Sequence, residues 1–384
     1  MQYAPVPKIA QFLVLLALLA WSGCSSPDQP RTVTRLTESV AGQPISTPAP
    51  TVIPQETLSL PTPPATATSL VPQIPLSDAV GNWVSYHQWS QHHGLQPYVV
   101  KGIAPSLILE QHTAAGILVL TVGNPYIRWN GINLGLGFAP VWLKGEIHLN
   151  SIDVAKTLDL LINPSIPDSP AMKVLVIDPG HGGANFGTRS SDGSLMEKDL
   201  TLDWAKRVKR GLLAKSSQWS VILTRTNDMD LTLLQRVAIA EAAQADLFIS
   251  LHFNSVANNS TETGLETYCT TPLGLPSNLT REFEDNLTQL YPNNQFDEMN
   301  LHHALALHRS LLEKTGRKDR GLRRARFMTV VREQTRPAVL IEGGYLSNPQ
   351  EARLIATPEF RQRLADAIVT ALLDSEDRLN SAAK

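Results

Sequence analysis

From Lys173 onward the chain alternates short apolar runs with stretches whose apolar residues recur every three or four positions. Val174-Leu175-Val176-Ile177, Ser220–Leu223, Asp246–Leu251, Gly264–Cys269 and Pro337–Ile341 read as strands, and the most uniformly apolar of them suit strands covered on both faces. Between them, Leu200, Trp204, Val208 and Leu212 make one helical stripe. A capping box over Thr232–Gln235 opens a second helix, with Leu233, Val237 and Ala240 on one face. Leu301, Leu305 and Leu312 mark a helix over 300–315, and Thr357 with Pro358 starts a last one striped by Phe360, Leu364, Ile368 and Leu372. This alternation predicts an α/β fold: a three-layer domain over 173–375 whose mostly parallel or mixed sheet is flanked by helices, with a tail over 376–384.

Upstream the pattern changes. Residues 78–164 predict a small β-rich accessory module: Leu107–Gln111 and Ile117–Val122 alternate as strands, Asn130-Gly131 is a hairpin turn, and Val154–Ile162 suits a closing helix. Trp83, Trp89, Trp129 and Trp142 are expected to fill its core. His87, His92 and His93 lack partner carboxylates at helical or hairpin spacing, so they carry no metal site. Prolines 164, 167 and 170 mark a linker over 165–172, and the Pro/Thr/Ser-rich stretch 25–77 has no apolar periodicity with which to offset its ordering entropy. Residues 1–24 form a targeting segment. Lys8 precedes an apolar run too short for a membrane span, and Ser22-Gly23-Cys24 resembles a lipoprotein processing site at which Cys24 would carry the lipid anchor. Trp21 stands where that pattern prefers Leu, and the alternative is an ordinary signal peptide cut near Gly23. Either way the mature protein is exported; Ser25 favours sorting to the outer membrane, facing the periplasm.

Composition narrows the chemistry. A net charge of −2 over 384 residues gives no electrostatic footprint for nucleic acid. The two cysteines, Cys24 and Cys269, provide neither a disulfide framework nor a cysteine zinc site, so any metal must be held by His and carboxylate. Cys269, inside a strand, reads as a small buried hydrophobe.

Three apolar strands run into a residue of catalytic type: His181 in Asp178-Pro-Gly-His-Gly-Gly183, His252 and Glu342. Glu197 follows the first of these turns at the head of a helix. If the strands are neighbours, all four side chains meet at their carboxyl ends, where open α/β sheets bind ligands. Two imidazoles and one carboxylate are a common ligand set for a catalytic zinc ion (Zn2+), and the remaining carboxylate would then move protons.

These residues and their surroundings carry a resemblance. Asp178–Gly183, Glu197-Lys198-Asp199-Leu200, Ser250–Ser255 and Glu342-Gly-Gly-Tyr-Leu-Ser-Asn-Pro349 resemble the motifs of zinc-dependent N-acetylmuramoyl-L-alanine amidases, in order and over about 173–374. So do Thr224-Arg225 with Arg236, Gly264–Tyr268 and Arg320–Leu322. The resemblance implies zinc on His181, Glu197 and His252, with Glu342 as the catalytic group. It also implies a peptidoglycan substrate, cut between muramic acid and L-alanine of the stem peptide. An activator protein is a further candidate partner. Asn185 departs from the Asp often found at that position, and 270–299, where some members insert a helix that blocks the site, follows no family pattern. Gly182-Gly183 are expected to leave room for a substrate backbone.

Overall fold

The computed structural model describes residues 82–104, 106–164, 173–256 and 261–382, with side chains to 374. The targeting segment, Cys24 and both linkers lie outside the described residues. The strands are β1 (Trp83–Ser85), β2 (Val99–Ile103), β3 (Ser106–His112), β4 (Ile117–Thr121), β5 (Tyr126–Trp129), β6 (Ile132–Gly135), β7 (Val141–Leu143) and β8 (Glu146–Asn150). They continue with β9 (Lys173–Pro179), β10 (Trp219–Leu223), β11 (Leu247–Asn254), β12 (Leu265–Cys269), β13 (Asp319–Arg324) and β14 (Ala338–Tyr345).

The sheet is mixed and flanked by helices, and a small β-rich module precedes it. Strands β10, β9, β11 and β14 run parallel side by side; β12 is antiparallel to β14 and parallel to β13. The helices Glu197–Lys215, Asp297–Thr315 and Pro358–Ala382 pack their apolar stripes around Trp204, Val208, Leu212, Leu301, Leu305, Phe360, Leu364 and Ile368, all buried. Burial of this kind stabilises by about 25 cal/mol per Å² of apolar surface. Cys269 is buried in β12 as a free thiol that burial pushes up to about 11, so it stays a neutral hydrophobe.

The module does not stand apart from this sheet. Strands β2 to β6 form an antiparallel meander, and β6 pairs in parallel with β13, giving eleven strands in one sheet. Polar ties close the seam. Asn133 N donates to Asp319 Oδ2 (2.8 Å), Arg324 donates to Thr157 Oγ1 (2.7 Å) and Lys156 O (2.8 Å), and Asn278 Nδ2 donates to Leu136 O (2.7 Å). Without the meander, β13 would present an open edge, and without the helical segment Val154–Leu158 the buried Arg324 would lose its acceptors. The Asn130-Gly131 turn joins β5 to β6 with both residues at positive φ. Trp89 and Trp129 are buried as expected, whereas Trp142 is 39% exposed on the separate small sheet β1-β8-β7.

Two further expectations are corrected. The helix Leu233–Ala242 has the predicted capping box at Thr232, but it buries Arg236 and Ala240 and leaves Leu233 51% exposed. Its inward face serves a buried ion pair as well as apolar packing, as the site shows. Strands β11 and β14 run three and four residues beyond their apolar cores, so His252 and Glu342 lie within strands. Parallel pairing tolerates these polar residues because each has partners or a cavity at the sheet's end.

Candidate metal centre

Register places the four side chains. His252 on β11 is directly opposite Glu342 on β14, and Glu342 is opposite Glu266 on β12. Next to β11, strand β9 ends at Pro179, and the chain turns through Gly180 to present His181 with φ of 63°. A left-handed backbone is costly for a residue with a side chain, so the turn needs external support. Two buried arginines supply it. Arg225 donates to the carbonyls of Pro179 (3.0 Å), Gly180 (2.9 Å) and Lys198 (2.7 Å). Arg236 donates to those of Pro179 (2.9 Å) and His181 (2.8 Å) and to Asp178 Oδ1 (2.6 Å). Asp178 also accepts from Thr224 (2.6 Å) and Ser250 (2.8 Å), so its buried charge is fully partnered.

Glu197, the first residue of its helix, bridges the two imidazoles. Its Oε2 is 3.1 Å from His181 Nε2 and its Oε1 is 2.9 Å from His252 Nδ1. The backbone amides of Thr188 (2.8 Å) and Phe253 (3.0 Å) donate to the same carboxylate and fix its plane. One donor atom from each of His181, Glu197 and His252 lies within 4.8 Å of the other two. Ligand atoms around a tetrahedral zinc are about 3.4 Å apart, so this set fits one ion with small adjustments. His181 Nδ1 faces Asn185 Oδ1 at 2.9 Å, which leaves Nε2 as the lone-pair nitrogen turned toward the site. Small residues are required here: a Cβ on Gly180 would fall 2.3 Å from the His252 ring, and one on Gly187 would fall 2.5 Å from Glu197 Oε2. The expectation for Gly182-Gly183 is corrected. A Cβ on Gly182 would strike the carbonyl of Met229 and one on Gly183 the carboxylate of Asp230, so these glycines pack the turn against 228–230 rather than clearing space for substrate.

Electrostatics separate the two carboxylates. Burial alone would raise Glu197, but the hydrogen bonds and charges of the two imidazoles outweigh it and hold it well below the usual carboxylate range. Burial likewise pulls His181 down, and its bond to Glu197 more than restores it. Glu342 is pushed well above its ordinary value, first by burial and then by the charges of Glu197 and Glu266. Its Oε2 is buried with no hydrogen-bond partner among the described residues. A buried carboxylate left this way favours the protonated form.

Glu266 lies inside the Gly264–Tyr268 motif, yet its chemistry was not foreseen. It accepts from Tyr345 (2.6 Å), Tyr268 (2.5 Å), Arg320 (2.9 Å) and Asn254 (3.1 Å). Burial opposes its ionisation, while Arg323, the two tyrosine hydroxyls and Arg320 prevail and keep it charged. Strand parity was the available signal, because alternate residues of β12 face the same side as the neighbouring strand's Glu342.

The four residues line one cleft of about 480 Å³, together with Asn185, Thr188, Asn254, Ser255, Arg281 and Phe327. The 270–299 segment contributes Arg281 to its lining. Among the described residues the segment's only regular element is the short 3-10 turn Pro292–Phe296 that leads into the following helix, and the imidazoles of His181 and His252 remain partly exposed. His87, His92 and His93 lie outside this cluster; His93 pairs with Asp159 at 3.2 Å.

The family profile described as N-acetylmuramoyl-L-alanine amidase matches residues 175–374. The chain is 32% identical to the amidase CwlM of Bacillus licheniformis over 194 residues, which is 50% of this chain and 65% of that protein, so just under two thirds of that relative is spanned. It is 30% identical to the germination-specific amidase of Bacillus subtilis, with 52% and 78% of the two chains covered. The catalytic domain of the amidase CwlV from Bacillus (Paenibacillus) polymyxa is 32% identical and aligns with a TM-score of 0.44, covering 54% of this chain and 99% of that one.

Proposed function

The chain belongs to the N-acetylmuramoyl-L-alanine amidase family, and we propose that it hydrolyses the amide between N-acetylmuramic acid and L-alanine in peptidoglycan, with zinc on His181, Glu197 and His252 and with Glu342 as the catalytic acid–base. The observation that carries this reading is the pair of differently tuned carboxylates in one cleft: Glu197 ionised between two imidazoles, and Glu342 buried opposite His252 with its Oε2 unpartnered among the described residues. When bound, zinc would supply an acidified water and polarise the scissile carbonyl.

The protein's own groups do the rest. Glu342 acts as carboxylate to take the proton of the attacking water and as acid to deliver it to the departing alanine amine, and burial with the charges of Glu197 and Glu266 strengthens its hold on that proton. Glu266, kept ionised by its arginines and tyrosines, contributes to the elevation of Glu342. Asn185 fixes the His181 tautomer, and Arg225 and Arg236 hold the turn that aims it.

The targeting segment and Cys24 support export with attachment to a membrane through lipid. Among the described residues no helix is long and apolar enough to cross a membrane. The test of the reaction is mass spectrometry of purified sacculi after digestion. Intact stem peptides with a free alanine amine, alongside glycan bearing free lactyl groups, are expected. Stems shortened from their carboxyl end would assign a carboxypeptidase instead.

A further inference from the structure

Two arginines line the cleft, Arg236 and Arg281. Arg236 is committed to Asp178 and the His181 turn. Arg281 is different: among the described residues it makes no hydrogen bond or ion pair, and its guanidinium lies 4.7 Å over the ring of Phe327. Arginines nearby are matched to carboxylates, Arg320 to Glu266, Arg326 to Asp285 and Arg332 to Glu333.

The loop that carries Arg281 is built to present it. Asp285 clamps the base, accepting from Ser277 N (2.7 Å), Ser277 Oγ (2.7 Å) and the buried Arg326 (2.7 Å). Arg326 also donates to the carbonyls of Pro272 (2.8 Å) and Leu275 (2.7 Å), tying the entering chain to the same point. At the tip, Phe283 N donates to Thr280 O (3.0 Å) and Arg281 takes φ of 51°. That backbone favours Gly or Asn, yet the position holds a long cation stacked on an aromatic ring. The result is a preorganised cationic group on the wall of the reaction cleft that makes no hydrogen bond or ion pair among the described residues, although its charge reaches Glu342 and partly offsets the elevation of that carboxyl.

We propose that Arg281 binds a carboxylate on the peptide side of the scissile amide, making it a specificity-determining residue contributed by the loop 277–285. The proposal rests on the amidase reading. The side of the bond follows from substrate chemistry. N-acetylmuramic acid has its single carboxyl engaged in the scissile amide, so the glycan is uncharged and free carboxylates belong to the peptide. An arginine with two parallel N–H donors matches such a group.

The test uses the full-length, zinc-loaded chain in a Glu342→Gln background, where ligand is bound without turnover. Calorimetry compares N-acetylmuramoyl-L-alanyl-D-glutamate with the same dipeptide bearing carboxamides at both its α and γ positions. The parent is expected to bind the carboxylate form about tenfold tighter. Arg281→Ala should abolish this preference with an unchanged thermal midpoint, and Arg281→Lys should keep part of it. The same preference in Arg281→Ala, or none in the parent including no binding at all, overturns the proposal. Hydrolysis by the wild-type chain is read separately. A preference that depends on Arg281 without release of alanine-terminated peptide removes the amidase reading and leaves an anion site; turnover without such a preference removes only the role of Arg281.

Discussion

Replacing Arg236 with Met tests how the metal turn is held. Arg236 and Asp178 are 4% and 1% exposed and lie 2.6 Å apart. Deleting one partner of a buried ion pair costs about 3–5 kcal/mol, chiefly because the other charge is stranded. Asp178 would retain the hydroxyls of Thr224 and Ser250, which places the loss at the lower end, about 3 kcal/mol. For a domain of this size that is a fall of about 6 °C in midpoint. The assay is thermal unfolding of the metal-free full chain. The double variant Arg236→Met/Asp178→Asn should recover about half of the loss, since no charge is then stranded. A fall below about 2 °C for the single variant, or a double variant no better than the single, would refute the view that this pair supports the turn.

Two other predictions concern the site itself. Asn185→Ala removes the acceptor that orients His181 and should weaken zinc affinity about 10- to 100-fold, measured by chelator competition, with little change in thermal midpoint of the metal-free chain. Glu342→Gln should raise the thermal midpoint of the metal-free protein near pH 7. A carboxyl raised in the folded state contributes stability that is complete below its ordinary 4.5 and lost as pH rises through the folded value, so the advantage of Gln should shrink toward pH 4. A midpoint difference independent of pH would contradict the raised value.

Much of the site is legible in the sequence because it follows from strand ends. A run such as Val174–Ile177 that stops at Asp178-Pro179-Gly180 has to turn at the sheet's edge, and parallel neighbours bring His181, His252 and Glu342 to that edge. The stripes of Leu200, Trp204, Val208 and Leu212, and of Phe360 to Leu372, are buried as their spacing demands. Other features depend on partners remote in the chain. Leu322 pairs with Leu134 across 188 residues, and no local pattern in β6 or β13 announces that the meander extends the main sheet. Leu233 fits an apolar face by spacing, yet the helix turns so that Arg236 reaches Asp178; a buried ion pair outweighs one leucine. Arg281 reaches the cleft only because Asp285 and Arg326 close its loop, a contact 41 residues apart.

The most direct measurement of the central claim is zinc content and turnover determined on the same preparations of wild type, Glu342→Gln and Glu197→Ala. One zinc per chain is expected in wild type and in Glu342→Gln, with stem-peptide release from sacculi by wild type alone, and Glu197→Ala should lose both metal and activity. Full zinc in Glu197→Ala, or continued release of stem peptides by Glu342→Gln, would contradict the assignment of these two carboxylates.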